Sequence, residues 1–306
     1  MKRALPVLLF AALAGAPFLA WGHHAGTALL LTTRIEILAI AAISLDLLVG
    51  AAGLVSFGHA AYLAIGAYAV AILDANDISE ALIVLPVACL AAAAFAAATG
   101  AISLRTRGVN FIMITLAFAQ MVTFAAGSLA AYGGDDGYSL TTRTEILGHP
   151  WLKGIGLHIA AITLLVLAWL LLRTLLASRF GRALRAIKQN RPRVQAMGHN
   201  AFAVELAAMT IAGTICAIAG VLLANLSEFA SPAYATWQRS GDLLIAVILG
   251  GAGSLTGAIL GAAAVVLLEE ALGGVTEHWR ILYGPILILA VLYARGGLVS
   301  FGTSRG

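Results

Sequence analysis

The sequence predicts an all-α, polytopic helical membrane protein, and three observations point there. The composition is 61% hydrophobic and only 10% charged, with a mean hydropathy of +0.97, where a soluble domain carries about 25% charge. Apolar stretches recur along the whole chain and divide into about ten segments, some short or broken by glycine. This makes residues 1–306 one transmembrane domain with no room for a large soluble one. The basic residues are also unevenly placed. If the segments alternate in direction, Arg34, Arg143, Lys153, Arg239 and Arg280 fall on one side and the other thirteen of the 18 Lys and Arg on the other. An excess of this kind marks the cytoplasmic side, so both termini are expected there. The net charge of +4 then reflects topology and implies no nucleic-acid binding.

Met1 to Ala20 carries Lys2 and Arg3 before an apolar run interrupted by Pro6 and Pro17. A cleaved signal peptide fits this pattern. A retained first helix fits the length better, since about 18 to 20 apolar residues span a bilayer. Trp21, His23 and His24 follow at the expected outer interface. Leu29 to Gly50 returns inward, with Arg34 and Glu36 near its outer end and Asp46 deep near its inner end. An ionisable group at that depth is either a functional site or a carboxylate paired at the interface.

Gly53 to Leu73, GLVSFGHAAYLAIGAYAVAIL, is too rich in glycine and polar groups for a lipid-facing helix. It reads as a broken or closely packed helix of the kind that lines a solute route. Its polar groups Ser56, His59 and Tyr62 are candidates for that route, and each also fits a packed group satisfied by a neighbouring helix. An acidic outer loop from Asp74 to Glu80 precedes the alanine-rich segment Leu82 to Leu104, expected at the centre of the packing. Arg105 and Arg107 mark the inner face. Val109 to Ala130 goes outward, with Thr115 and Gln120 as polar interruptions, and Gln120 is the fourth candidate for the route.

Tyr132 to His158 is the longest outer loop and holds a tight acidic turn, Gly133-Gly134-Asp135-Asp136-Gly137. It lacks the spaced ligands of a calcium loop. Leu157 to Leu176 runs inward to the longest polar run, Ser178 to Asn200. Arg179, Arg182, Arg185, Lys188, Arg191 and Arg193 all lie in it, and no acid follows until Glu205. Phe180, Leu184 and Ile187 form one helical stripe, with Arg182, Arg185 and Gln189 opposite. Pro192 ends that pattern, and a second short segment runs through Ala196, Met197 and Gly198. The run reads as an amphipathic loop on the inner face that either lies on the membrane surface or docks a cytosolic partner.

Leu206 to Leu226 goes outward. Asp242 to Leu249 is a short inward half-helix ending at Gly250-Gly251-Ala252-Gly253-Ser254, Leu255 to Leu272 returns, and Ile281 to Ala294 comes back in. Gly53-Leu54-Val55-Ser56-Phe57-Gly58 recurs unchanged as Gly297 to Gly302, each copy after an inward segment. In so biased a composition the echo alone does not establish a duplication.

Several chemistries are missing. No Gly-Lys pair exists to build a phosphate loop, and no His or Cys spacing suits a metal. Cys89 and Cys216 both lie in apolar segments and read as packing residues. A transport protein without its own energy source or cofactor fits best, with energy entering through the basic loop at 178–205.

Five stretches together resemble one family, the permeases of branched-chain amino acid ABC transporters, in particular their M-type chain. They are LDLLVGAAGLVSFGHAAYLAIGAY (45–68), LRTRGVNFIMITLAFAQMV (104–122), GGDDG (133–137), SRFGRALRAIKQN with AMGHN (178–200) and VILGGAGSLTGAILGA (247–262). The resemblance implies a bacterial inner-membrane importer, and no enzyme activity in this chain. It also implies partners: a second, related permease chain, two cytosolic ATP-binding subunits, a periplasmic solute-binding protein and the lipid bilayer. Arg182, Arg185, Ile187, Lys188, Ala196 and Gly198 then belong to the segment that couples to the ATPase, with Ala196, Met197 and Gly198 matching its alanine–x–glycine end. Arg191-Pro192-Arg193 departs from the family, where an acid is usual nearby. Expected solutes are branched-chain or other hydrophobic amino acids, with urea, short amides and aromatic acids as alternatives. A self-contained ion-coupled carrier would need Asp46 as its coupling acid.

Overall fold

A computed structural model describes residues 4–19, 25–145, 148–149, 152–274, 281–286 and 297–298. Eleven α-helices occur among them: α1 (Ala4–Leu19), α2 (Ala25–Asp46), α3 (His59–Asp74), α4 (Ala81–Ser103), α5 (Val109–Ser128), α6 (Ile155–Ala177), α7 (Arg179–Gln189), α8 (Arg191–Ala196), α9 (Ala201–Ser227), α10 (Trp237–Gly250) and α11 (Leu255–Gly273). Six stretches, built on α2, α4, α5, α6, α9 and α11, are long and apolar enough to cross a membrane. The helices α1 and α3, with 16 residues each, and α10, with 14, are shorter. Of the expected segment 281–294, only 281–286 is described, and it is helical.

The centre of the bundle is α2. Its sequence is apolar on every side, and a helix of that kind is stable only when surrounded. Ile37, Ile40, Ile43 and Leu45 are all fully buried, among α1, α6, α9, α10 and α11. The alanine-rich α4, expected at the centre, lies at the periphery. Its small residues Ala88, Ala92, Ala96 and Gly100 repeat every four positions and face α3 and α9, but Leu82, Leu90 and Ile102 on its other side are exposed.

Where helices touch most closely, glycine removes the side chain. A Cβ on Gly66 of α3 would overlap the Ala217 carbonyl of α9, and one on Gly220 of α9 would overlap the Leu63 carbonyl of α3. Two reciprocal glycines thus let the two backbones cross in direct contact, as small residues do in membrane bundles. In the same way Gly250 faces Gly257 and Gly261 faces Ala246, closing α10 and α11 into a tight helical hairpin whose turn is Gly251 to Ser254. Ser254 caps α11 by accepting from the Gly257 N–H.

The chain between Gly53 and Gly58 is not helical, so the expected segment 53–73 is indeed broken. Residues 47–52 wind as a π-turn at the end of α2, Gly53 closes it in the left-handed conformation (φ +71°), and α3 begins only at His59. At the face opposite α7 and α8, the α5–α6 and α9–α10 loops join through a two-residue antiparallel pair, β1 (Tyr138–Ser139) with β2 (Phe229–Ala230). The acidic turn there consists of two short 3-10 turns, Ala130–Tyr132 and Gly134–Asp136.

Candidate functional site

The residues singled out from the sequence fall into two places. The first is the amphipathic pair α7 and α8. Ser178 caps α7 by accepting from the Phe180 N–H, and Asn190 caps α8 by accepting from the Arg193 N–H. Pro192 lies in the first turn of α8, where its missing N–H costs no hydrogen bond. The expected stripe is buried: Leu184 and Ile187 pack against the bundle with Phe180 beside them. Arg182, Arg185, Ala196 and Gly198 are exposed. Gly198, at φ +84°, turns the chain from α8 towards α9.

The basic side chains also hold the segment in place. Arg182 and Arg185 donate to the carbonyls of Ala177 and Leu176, at 3.1 and 3.0 Å, in the last turn of α6. Lys188 Nζ donates to the Gly50 carbonyl at 2.7 Å. Carbonyls in a final helical turn lack an intrahelical donor, and a cation there also complements the helix dipole. Arg191 and Arg107 both reach Glu205 Oε2 in the first turns of α9, at 3.2 and 2.5 Å. Glu205 is fully buried. The departure Arg191-Pro192-Arg193 thus has a partner within this chain. Glu205 showed in the sequence only as the first acid after six bases.

The second place is the interruption before α3. Four donors there find side-chain or backbone acceptors. The N–H groups of Phe57, Gly58 and Ala60 donate to Thr115 Oγ1, Ser56 Oγ and Ser240 Oγ, at 3.3, 3.2 and 3.0 Å. Ser44 Oγ donates to the Ala41 carbonyl at 2.7 Å and pairs with His59 Nε2, 2.8 Å away. Ser56 and Tyr62 line a cavity of about 10 Å³ with Thr99, Thr115 and Phe118, room for about one water. His59 stacks edge-on against Tyr62, with ring centroids 5.4 Å apart. Ser56, His59 and Tyr62 are all buried, whereas Gln120 is half-buried further along α5 and is not among the residues lining that cavity. Ser240, which also caps this interruption, lay outside every stretch the sequence singled out, and Thr115 showed only as a polar interruption within 104–122.

A larger cavity of about 50 Å³ lies between α2, α3, α9, α10 and α11, with apolar walls that include Leu38, Leu63, Leu243 and Val265. Arg34, Arg239, Asp242 and Glu269 also line it, and Arg34 pairs with Glu269 at 2.6 Å. Asp46 accepts from the Gly253 N–H at 2.6 Å, which pairs that deep carboxylate with the α10–α11 turn. Among the described residues no cluster of three or more His, Cys, Asp or Glu could hold a metal.

Comparison with known proteins places these features in a family. The family model described as branched-chain amino acid transport system / permease component matches residues 27–291. The high-affinity branched-chain amino acid transport system permease protein LivM of Escherichia coli strain K12 is 28% identical over 293 residues, covering 88% of this chain and 69% of the relative. The xylose transport system permease protein XylH of the same strain is 31% identical over 167 residues, covering 51% of this chain and 42% of the relative. The autoinducer 2 import system permease protein LsrC of E. coli strain K12 / DH10B is 25% identical over 231 residues, covering 70% of this chain and 64% of the relative. No solved structure matches the chain.

Proposed function

The chain belongs to the permease-component family of branched-chain amino acid transport systems, and from that premise we propose that it is one of two permease chains of an ATP-driven importer. It sits in the bacterial inner membrane with about ten membrane segments and both termini in the cytosol. A second, related permease stands beside it, two ATP-binding subunits dock on α7 and α8, and a periplasmic binding protein delivers solute to the opposite face. The solutes are branched-chain or other hydrophobic amino acids. Solute passes the interruption before α3, where Ser56, His59 and Tyr62 stand, with Gln120 on α5. ATP binding closes the cytosolic subunits and reopens the passage on the other side, an alternating-access cycle.

The observation that carries this reading is the anchored amphipathic pair α7 and α8. One face is packed on the ends of α2 and α9, and the other presents Arg182, Arg185, Ala196 and Gly198. A segment fastened in this way moves with the bundle, as a docking lever must.

The test is uptake by the reconstituted complex in proteoliposomes. Leucine, isoleucine and valine should be taken up with ATP, while urea, acetamide and benzoate supplied with the same components should not. Uphill uptake by this chain alone, driven by an ion gradient without nucleotide, would overturn the reading. Docking is tested by Arg182→Glu with Arg185→Glu, which should reduce co-purification with the ATPase while the chain still inserts. Because both guanidiniums also cap α6, the control is Thr174→Ala in that last turn, which should leave co-purification intact.

A further inference from the structure

The end of α2 is held from two sides. Lys188 of α7 bonds the Gly50 carbonyl from one side, with its methylenes lying along Gly53 so closely that a Cβ there would come 2.9 Å from Lys188 Cγ. From the other side the α10–α11 turn enters. Gly253, at φ +92°, donates its N–H to Asp46, and a Cβ on Gly50 would overlap both Gly253 and the Asp46 carboxylate. Gly297, which opens the second GLVSFG copy with φ +73°, abuts the backbone of Gly251 in the same turn. Between the end of α2 and the α10–α11 turn, at Gly50 and Gly253, backbone lies directly against backbone, so a displacement there is passed on with little room for a rotamer change to absorb it.

The contacts continue into the bundle. The hairpin turn begins where α10 ends, and Ser240, about three helical turns back along α10, caps the Ala60 N–H at the start of α3. A continuous line therefore runs from α7 through one π-wound turn and α10 to the interruption before α3. The π-turn at the end of α2 lies midway along the line.

We propose that Lys188 and Asp46 are positioning residues that convert movement of α7 into movement of the α10–α11 hairpin. Lys188 pulls on the Gly50 carbonyl, and Asp46, one turn earlier on the same helix, carries Gly253 with it. Lys188 thus acts inward on this chain. The proposal rests on reading the chain as an ATP-driven permease, and it adds the route by which the force reaches α3.

The experiment measures solute imported per ATP hydrolysed by the full reconstituted complex with leucine as solute. Lys188→Met should lower that ratio roughly tenfold, within the range typical of energetically linked sites. Lys188→Arg, which restores a cationic donor, should recover most of it. Asp46→Leu should lower the ratio likewise. The double variant should lose little more than either single one, because residues on one line are not additive. A purely structural role would lower thermal stability and assembly yield and leave the ratio unchanged, and that result overturns the proposal. If Lys188→Met assembles poorly, Lys188→Gln, with its shorter uncharged donor, is read by the same ratio and must also fall. If the wild-type complex shows no nucleotide-driven uptake, the transport reading fails. If it imports normally and the ratio survives in the variants, only this proposal fails.

Discussion

Glu205 and Arg191 meet at 3.2 Å where α8 gives way to α9, and Arg107, from the α4–α5 connection, reaches the same carboxylate oxygen at 2.5 Å. One buried acid thereby joins three parts of the chain at the face that carries α7 and α8. Both arginines are partly exposed, Arg107 at 39% and Arg191 at 27% of the side chain, against 0% for Glu205. The energy therefore lies mainly in keeping the acid paired.

Glu205→Ala should lower stability by about 1–3 kcal/mol, the range for disrupting a buried hydrogen-bonded group. The two arginines, being partly hydrated, should each cost less. Arg107→Ala and Arg191→Ala together should cost more than their sum, because only the double variant leaves the carboxylate buried and unpaired. Thermal unfolding midpoints of the four variants in detergent check this. Equal effects for the acid and each arginine would contradict it.

Gly66→Ala and Gly220→Ala place a methyl into the backbone contact between α3 and α9. Neither helix can yield without separating from the other, so each should cost at least the roughly 1–3 kcal/mol of an overpacked core. Gly241→Ala on α10 meets nothing within 4 Å and serves as the control. Monodisperse yield after heating should fall for the first two and hold or rise for the third, where alanine favours helix over glycine.

Ser44→Ala should remove the hydroxyl that pairs with His59 Nε2 at 2.8 Å and leave that ring nitrogen buried with no partner. A loss of about 1–3 kcal/mol is expected. Ser44→Thr, which keeps the hydroxyl, should retain the hydrogen bond and lose stability only through its added methyl. Unfolding midpoints for the two variants decide between a lost hydrogen bond and mere packing.

Asp74, the last residue of α3, accepts five hydrogen bonds from Tyr138, Thr141 and Thr142, at 2.6 to 3.2 Å. They tie the long α5–α6 loop to the bundle. Asp74→Ala should free residues 138–144, and limited proteolysis should then cleave there several times faster than in the parent, because cleavage follows local opening. Unchanged cleavage would mean that the β1–β2 pair, the Arg143–Glu228 ion pair and the Thr144–Asn225 hydrogen bonds hold the loop without Asp74.

Much of this molecule was legible in the chain because a bilayer allows few choices. Backbone in a bilayer core favours the helix, so the apolar lengths located the helices; of the glycines read as marking a broken or closely packed segment, Gly53 and Gly58 bound the non-helical stretch before α3 and Gly66 sits inside that intact helix at a close contact. The stripe Phe180, Leu184, Ile187 located the buried face of α7, since burial follows the helical repeat. Alanine content misled in α4, because small residues show that a helix can be approached closely and not how many of its faces are.

What the sequence determined by itself was therefore local: which stretches are helical, where they break, and which face of α7 is apolar. Each follows from the neighbours of a residue along the chain. Which groups pair lay beyond it: Glu205 with two arginines, Lys188 with the Gly50 carbonyl, Asp46 with Gly253. Those partners lie from 14 to 207 positions apart, and two of the three contacts engage a backbone group that every residue type carries. The central α2 brings Lys188 and Gly253 to its own end, and the meeting of α8, α9 and the α4–α5 connection brings the arginines to Glu205, so only the tertiary structure could decide them.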